Sequence, residues 1–369
     1  MKKNYFILII ALGFFSCQKE MSTEVPITNT YQDLDVYVAG YVADLSAGIP
    51  AFWKNGRLKF IDSAHYNFTP DYGLQGAGAV SIAVSGNDVY AAGYEIYQSP
   101  YRGDVYNGIS WKNGMLADMT GGLTPIYLAS IIKSGTDIYV AGGGNGVAVF
   151  WKNGNAVELN SGGGPSVSWA SVTSMAVSGT DVYVAGYEEK YGSYYVAKYW
   201  KNGNPVILSD GTKNTFATSI AVSGNDVYVA GNEEEVNGMS VAKYWKNENP
   251  VNLNDGSTYA EANSIAISGT DVYVAGFEYG GFVNGVATLT PAKYWKNGNP
   301  VNLTDGSKLA SATSIAVSGT DVYVTGYEEK TAGSYTYVAK CWKNGTPIIL
   351  EDVSKYSESR AYSIFLAKK

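Results

Sequence analysis

The chain has 369 residues, of which 46% are hydrophobic and 16% are charged, a composition typical of a globular protein with a large core. One histidine and two cysteines leave almost nothing for a zinc site, a Cys/His nucleophile pair or a disulfide framework, so we expect no metal and no cofactor. The formal net charge of −7 opposes binding to nucleic acid, which requires basic residues to neutralise phosphates.

The first element in chain order is an export signal over residues 1–16. Lys2 and Lys3 precede an apolar run over residues 5–15, which is too short to span about 30 Å of hydrocarbon. The segment and the following Cys17 resemble a bacterial lipoprotein signal, and residues 17–20 resemble the surface-export signal of Bacteroidetes-type lipoproteins. The resemblance implies acylation of Cys17 and membrane contact through that lipid alone, on the outer membrane. An ordinary cleaved signal, which predicts a secreted or periplasmic protein, is the alternative.

Residues 17–34 form the second predicted segment, a flexible tether that follows the lipidated cysteine. They are polar, with Thr, Ser and Pro26, as in other flexible linkers. Removal of residues 1–16 would take away two lysines and no acid, leaving 24 basic and 33 acidic residues and a net charge of −9. An acidic body on a lipid anchor would stand off an anionic membrane.

A repeat of about 50 residues dominates residues 35–369, and two independent markers each count seven copies. The first marker is Trp-Lys-Asn, at Trp53, Trp111, Trp151, Trp200, Trp245, Trp295 and Trp342. The second is Asp followed by Val or Ile and then Tyr, at Asp35, Asp88, Asp137, Asp181, Asp226, Asp271 and Asp321. Trp169 is the one tryptophan that the repeat does not explain.

Each repeat is predicted to be a four-stranded antiparallel meander, and the last complete unit shows why. Residues 312–318 and 321–328 are β-branched and aromatic runs separated by Gly-Thr, which predicts a hairpin. A third strand is predicted over 337–343 and a fourth over 346–350. Asn344-Gly345 between them favours a type I′ turn, in which both central residues need a positive φ.

The predicted fold class is all-β, a seven-bladed β-propeller over residues 35–369. The strands are apolar on both faces, so both faces of each sheet should be covered, and blades packed around an axis satisfy that demand. The chain enters at a second-strand motif and ends with a first-strand motif over 361–366, so the C-terminal strand is predicted to pair into the first blade and close the ring. A flat β-solenoid is the weaker alternative.

The pattern resembles kelch and other propeller repeat families in architecture. Segments such as Phe52-Trp53-Lys54-Asn55-Gly56 also resemble the short Trp-x-x-Gly repeats of extracellular bacterial proteins. These resemblances cover nearly all of residues 35–369, and they imply the fold without implying an activity. We expect the protein to be a monomer.

The repeat assigns structural parts to most residues that would otherwise suggest chemistry. The seven aspartates are expected to accept hydrogen bonds at turns, the seven tryptophans to pack between blades, and Cys341 to be a buried thiol. Glutamates after the second strand co-occur with lysines two residues before Trp in the last four blades, which favours Glu–Lys pairs over an acidic metal ring. His65 is predicted to lie in a surface loop, because no nucleophile motif accompanies it.

Ligand binding is predicted at the end of the propeller that carries the loops between second and third strands and the crossings between blades. These segments vary in length and composition, and rigid scaffolds usually place binding on variable loops. Their chemistry is mostly aromatic, which suits sugar faces or peptide segments. The candidate ligand-binding residues are Tyr127, Trp169, Phe216, Tyr259, Glu261 and Arg360.

Three functions fit these residues. A non-catalytic, surface-tethered propeller that binds a glycan or a protein partner is the leading hypothesis, with no catalytic residue assigned. A glycoside hydrolase or lyase using Glu261 and Glu358 near the axis is the first alternative, since propeller glycosidases place carboxylates there. A structural subunit that docks other envelope proteins is the second.

Overall fold

The computed structural model describes residues 33–44, 47–61, 73–99, 103–122, 125, 127–144, 146–159, 167–190, 192, 194–235, 238–279, 282–283, 286–287, 290–351 and 355–369. The predicted signal, the tether with Cys17 and the crossing with His65 lie outside these residues. Within them the chain forms β-strands and no helix.

Twenty-eight of the thirty strands in the described residues belong to four-stranded antiparallel meanders. Blade 1 comprises β1 (Leu34–Asp44), β2 (Ala47–Lys54), β3 (Arg57–Phe60) and β30 (Glu358–Lys368). Blade 2 comprises β4 (Gly73–Ser85), β5 (Asp88–Ser99), β6 (Gly103–Lys112) and β7 (Met115–Leu116). Blade 3 comprises β8 (Tyr127–Ser134), β9 (Asp137–Gly144), β10 (Val147–Lys152) and β11 (Asn155–Glu158). Blade 4 comprises β12 (Val167–Ser178), β13 (Asp181–Lys190), β14 (Tyr195–Lys201) and β15 (Asn204–Ile207).

The remaining blades follow the same order. Blade 5 comprises β16 (Thr215–Ser223), β17 (Asp226–Glu234), β18 (Ser240–Lys246) and β19 (Asn249–Asn252). Blade 6 comprises β20 (Ala260–Ser268), β21 (Asp271–Glu278), β24 (Ala292–Lys296) and β25 (Asn299–Asn302), with a small hairpin of β22 (Phe282–Val283) and β23 (Val286–Ala287) inserted between β21 and β24. Blade 7 comprises β26 (Ala310–Ser318), β27 (Asp321–Glu329), β28 (Tyr337–Lys343) and β29 (Thr346–Ile348).

The described meanders number seven and close into a ring, so the predicted β-propeller is confirmed. Blades 3 to 7 are separate sheets, whereas blades 1 and 2 share an eight-stranded sheet through one parallel bridge between Gly48 and Gly76. The strand nearest the axis is here called the inner strand and counts as the first strand of its blade. In blade 1 it is β30, so that β1, β2 and β3 are the second, third and fourth strands. Each inner strand contacts the inner strands of both neighbours, in the order β30, β4, β8, β12, β16, β20, β26 and back to β30. β30 pairs antiparallel with β1, so the C-terminal strand completes blade 1 as predicted.

The core consists of seven hydrophobic clusters, each between adjacent blades. Trp245 of blade 5, for example, packs with Tyr183 and Ala185 of blade 4. Trp53 of blade 1 packs with Tyr323 and Cys341 of blade 7, which closes the circle. All seven repeat tryptophans are at most 2% exposed, so their predicted part in blade packing is confirmed. Burial raises the pKa of the Cys341 thiol to about 12, and that cysteine is free.

Every inner strand contains a β-bulge near its middle, a feature absent from the sequence expectations. In blade 5 the pairing with β17 skips one residue between Ala217 and Ser219, and equivalent skips occur in the other six blades. The bulge serine also joins the blades, because Ser219 Oγ accepts a hydrogen bond of 3.2 Å from the backbone N–H of Ile265 in the next inner strand. The bulges therefore divide each inner strand into two parts, and the serine hydrogen bonds fix the position of each inner strand along the axis relative to the next.

The seven repeat aspartates have structural partners at the end of the third strand of their own blade and in the turn that follows it. Asp226 Oδ1 accepts a hydrogen bond of 2.7 Å from Asn247 Nδ2, and its Oδ2 lies 2.9 Å from Lys246 Nζ. The same Asp–Lys–Asn arrangement occurs in all seven blades. Asn344 and Gly345 have φ of 50° and 80°, as the predicted type I′ turn requires. β29 ends at Ile348, two residues before the predicted end.

Candidate binding face

The six candidate residues all lie at one end of the propeller, where the inner strands begin. This end, here called the variable-loop face, also carries the loops between second and third strands. Tyr127, Trp169, Phe216, Glu261 and Arg360 lie before the bulges of β8, β12, β16, β20 and β30, and Tyr259 comes just before β20. They belong to blades 3, 4, 5, 6 and 1, so the structure distributes them around the ring.

Trp169 differs from the seven repeat tryptophans in its exposure. Trp169 is 43% exposed, whereas the seven repeat tryptophans are at most 2% exposed. It pairs with Glu189 of β13 and lies beside a register shift between Val167 and Trp169. This irregular first stretch of β12 holds the indole at the surface of the variable-loop face.

Tyr259 and Glu261 are the candidate pair that the structure brings into direct contact. The Tyr259 hydroxyl donates a hydrogen bond of 2.6 Å to Glu261 Oε1. Burial, followed by this hydrogen bond to the carboxylate, raises the pKa of Tyr259. The Tyr259 ring also stacks on Phe277 at 6.3 Å and meets Tyr279 edge-on at 5.5 Å. The pair is therefore fixed within blade 6.

Phe216 and Tyr127 each connect two blades. The Phe216 ring lies 5.0 Å from the ring of Tyr187 and 5.2 Å from that of Tyr195, both of blade 4. The Tyr127 hydroxyl accepts a hydrogen bond of 2.8 Å from the backbone N–H of Val172 and lies 3.2 Å from Ser171 Oγ. Both residues thus contribute to packing between blades as well as lying on the variable-loop face.

Arg360 lies between an acid and two aromatic rings. Its Nε donates a hydrogen bond of 2.8 Å to Glu358 Oε1, which also accepts one of 2.7 Å from the Tyr41 hydroxyl. Its guanidinium carbon lies 4.9 Å from the ring centre of Tyr327 and 4.4 Å from that of Tyr337. These contacts hold a positive charge at the start of the inner strand of blade 1.

The sequence analysis missed a set of aromatic residues in the second strands, which lie beside the candidate residues. In most blades an aromatic residue directly follows the glycine of the Val-Tyr-Val-Ala-Gly motif or its variants, at Tyr41, Tyr94, Tyr187, Phe277 and Tyr327. The glycine–aromatic pair recurs in the sequence and could have marked them. Tyr106 in β6 and Tyr194 and Tyr335 on loops add exposed rings to this face.

The predicted Glu–Lys pairs are confirmed in blades 4 to 7. Lys198 pairs with Glu188, Lys243 with Glu233, Lys293 with Glu278 and Lys340 with Glu328. The described residues contain no group of three or more His, Cys, Asp or Glu that could hold a metal ion. No helix in the described part of the chain is long and apolar enough to cross a membrane.

The fold and this face define a β-propeller. Neither a protein-family model nor a curated protein sequence matches the chain. Several solved structures resemble it. A prolyl endopeptidase is 12% identical with a TM-score of 0.49, over 91% of this chain and 50% of that one, so this chain spans half of its length.

Two other similar structures act on or recognise sugars. The six-bladed fucose-recognising lectin of Aleuria aurantia is 12% identical with a TM-score of 0.36, over 77% of this chain and 97% of the lectin. A Trypanosoma rangeli sialidase mutant with trans-sialidase activity is 9% identical with a TM-score of 0.40, over 91% of this chain and 52% of the sialidase. At such identities and scores, the activities of these proteins do not transfer to this chain.

Proposed function

We propose that the protein is a non-catalytic binding protein whose variable-loop face takes up a glycan. The observation that carries the proposal is Trp169, the one tryptophan left exposed while seven others are buried between blades. An exposed indole costs the apolar burial that a core position would provide, and it offers a flat apolar surface with a polar N–H. Sugar rings have an apolar face and polar edges that match it.

Exposed tyrosines on the same face support the proposal. Tyr106 in β6 and the loop residues Tyr194 and Tyr335 are 49%, 51% and 72% exposed. Tyr335 has a φ of 53°, which is unusual for a tyrosine, and its backbone N–H donates a hydrogen bond of 3.1 Å to the buried carboxylate of Glu329. The loop is thus held in a strained form that keeps an aromatic ring in solvent.

The acids of the hydrolase alternative have other partners. Glu261 lies in blade 6 and Glu358 in blade 1, with blade 7 between them, and each accepts a hydrogen bond from a tyrosine of its own blade. This arrangement favours structural parts for both carboxylates. We therefore assign no catalytic residue.

The proposal also places the propeller on the outer surface of a cell, as a monomer tethered by a lipid on Cys17. The support is the form of residues 1–20 and the polar tether that follows them. A protein partner bound by the same face is the alternative that the experiment below distinguishes.

A glycan array tests the proposal. The full chain carrying Cys17→Ser, which prevents acylation, is compared with the same chain carrying Trp169→Ala or Phe60→Ala. Phe60 is the matched control, because it is also an exposed aromatic residue, 53% exposed, but lies on the outermost strand of blade 1. We expect binding that Trp169→Ala removes and Phe60→Ala retains.

Three other outcomes contradict the proposal. An array without any bound glycan, together with a stoichiometric envelope protein recovered with the chain, indicates a docking subunit. Equal loss in both variants places binding away from Trp169. Release of reducing sugar that Glu261→Gln or Glu358→Gln abolishes indicates a hydrolase.

A further inference from the structure

Two blade interfaces on the variable-loop face have the same construction. In blade 4 Tyr187 follows Gly186 in the second strand, and Tyr195 begins the third strand. In blade 7 Tyr327 follows Gly326, and Tyr337 begins the third strand. Each tyrosine pair packs edge to face, with ring centres 5.5 Å apart in blade 4 and 5.0 Å apart in blade 7.

The third member of each group comes from the inner strand of the next blade, at the same position. Phe216 lies three residues before the bulge serine Ser219, and Arg360 lies three residues before Ser363. The Phe216 ring lies 5.0 and 5.2 Å from its two tyrosines. The Arg360 guanidinium lies 4.9 and 4.4 Å from its two. A guanidinium thus stands where the other interface packs a phenyl ring.

Packing alone does not require the Arg360 charge, because the phenyl ring of Phe216 fills the equivalent position between blades 4 and 5. Burying part of a guanidinium has a desolvation cost, which the tyrosine rings and Glu358 offset. Glu358 engages Nε, and within the described residues no hydrogen bond engages the two terminal nitrogens. The Arg360 side chain is 29% exposed, so this end of the fork is open to a ligand.

In the seven described inner strands, Arg360 is the only basic residue before the bulge. The lysines of the adjacent third strands are paired with glutamates, as in Lys340–Glu328 at 3.2 Å and Lys243–Glu233 at 2.9 Å. Arg360 is therefore the positive group that the described inner strands present to an anionic ligand on this face.

We propose that Arg360 binds the carboxylate of an acidic sugar, so that the ligand of this face is a glycan containing uronic acid. The inference rests on the proposed glycan-binding function and specifies its ligand class. Two terminal guanidinium nitrogens match the two oxygens of a carboxylate in a planar, bidentate contact. Glu358, which also accepts a hydrogen bond from Tyr41, accepts the hydrogen bond of Arg360 Nε and so fixes the direction of the fork. The aromatic rings beside it supply the apolar surface that a sugar ring needs.

The test uses defined oligosaccharides and a variant that the protein itself suggests. Binding of oligogalacturonate is measured by calorimetry beside its carboxyl-reduced, neutral form, and oligomannuronate is measured in the same way. The full chain with Cys17→Ser is compared with chains that also carry Arg360→Phe, Arg360→Lys or Phe60→Ala. Arg360→Phe reproduces the Phe216 interface, so its thermal unfolding midpoint should stay close to that of the parent.

We expect the parent chain to bind at least one oligouronate and to bind its reduced form roughly tenfold more weakly or worse. Arg360→Phe should lose the preference for the acidic form. Arg360→Lys, which keeps the charge without the planar fork, should recover only part of it, and Phe60→Ala should match the parent. The comparison of acidic and reduced ligands on the parent chain needs no variant, so it decides the question even if a variant fails to fold.

Several results overturn the inference. Equal affinity for acidic and reduced forms, or neutral glycans alone on the array, contradicts a carboxylate ligand while glycan binding stands. Acidic preference that survives Arg360→Phe in a folded protein places the carboxylate elsewhere. Binding to a peptide with a free C-terminal carboxylate, without binding to any glycan, contradicts both the inference and the proposed function.

Discussion

The backbone of Gly231 lies against the carbonyl group of Phe216, so a β-carbon at residue 231 would come within 2.0 Å of that oxygen and 2.8 Å of the Trp245 ring. The cause is the bulge in the inner strand, which pushes the carbonyl towards the second strand. The six equivalent glycines have the same relationship, with separations of 1.9 to 2.2 Å. A glycine in each second strand is thus required by the strand that carries the candidate binding residues.

Gly231→Ala should therefore destabilise the propeller. The added methyl group must displace backbone, and we expect the free energy of unfolding to fall by about 2 to 4 kcal/mol. Urea denaturation measures the change. Gly76→Ala is the control, because a β-carbon there has its nearest neighbour at 3.5 Å, an ordinary contact. Equal stability of the two variants would contradict the explanation.

The blades were predictable because each marker recurs seven times, and counting does not depend on the position of any strand in space. The bulges were not predictable in the same way. A register shift depends on how Ala217 and Ser219 meet β17, and the alternation of side chains does not encode it. The final glycine of Val-Tyr-Val-Ala-Gly and the serine after each bulge were its traces in the sequence.

The sequence predicted the candidate residues in the crossings between blades, whereas five of the six lie in the first residues of inner strands and only Tyr259 precedes its strand. Their contacts with the neighbouring blade were not predictable. Tyr127 binds the backbone of Val172, and Arg360 lies against Tyr327 and Tyr337. Spacing along the chain cannot specify which side chains from adjacent blades meet across an interface.

The two kinds of tryptophan should respond differently to truncation. Trp245→Ala opens a cavity in the cluster between blades 4 and 5 and should lower the free energy of unfolding by about 3 to 5 kcal/mol. Trp169→Ala removes a ring that is only partly buried and should lower it by clearly less, about 1 to 2 kcal/mol. Denaturant unfolding of both variants checks the contrast. A large loss for Trp169→Ala would mean that the indole has a structural part.

Acid should weaken the fold through the seven repeat aspartates. Hydrogen bonds from Lys112 and then from Asn113 lower the pKa of Asp88 to about 2, and the pKa values of the other six are lowered too. A carboxylate with a lowered pKa in the folded state stabilises the fold above its unfolded pKa of about 4. That stabilisation is lost as the pH falls towards about 2.

Thermal unfolding of the parent and of Asp88→Asn between pH 7 and pH 2 measures this effect. The parent should unfold at a higher temperature than the variant at pH 7, and the gap should close between about pH 4 and pH 2. A gap that is constant over this range, or that widens in acid, would show that the Asp88 carboxylate is not coupled to folding.

The proposed lipid on Cys17 is tested by metabolic labelling. In a bacterial host with the lipoprotein pathway, the chain should incorporate labelled palmitate and partition into the membrane fraction, whereas Cys17→Ser should do neither. Cys341→Ser is the control. Because Cys341 is buried in the core, replacing it should leave the palmitate labelling unchanged. Label that persists in Cys17→Ser, or a parent chain found only in the soluble fraction, would contradict the lipid anchor.

The central claim, that the variable-loop face binds a ligand through Trp169, is tested most directly by calorimetric titration of the glycan that gives the strongest array signal. The account predicts that Trp169→Ala weakens binding by roughly tenfold or more, while Phe60→Ala binds as the parent does. Equal affinity for the parent and Trp169→Ala, with both proteins folded, would contradict it.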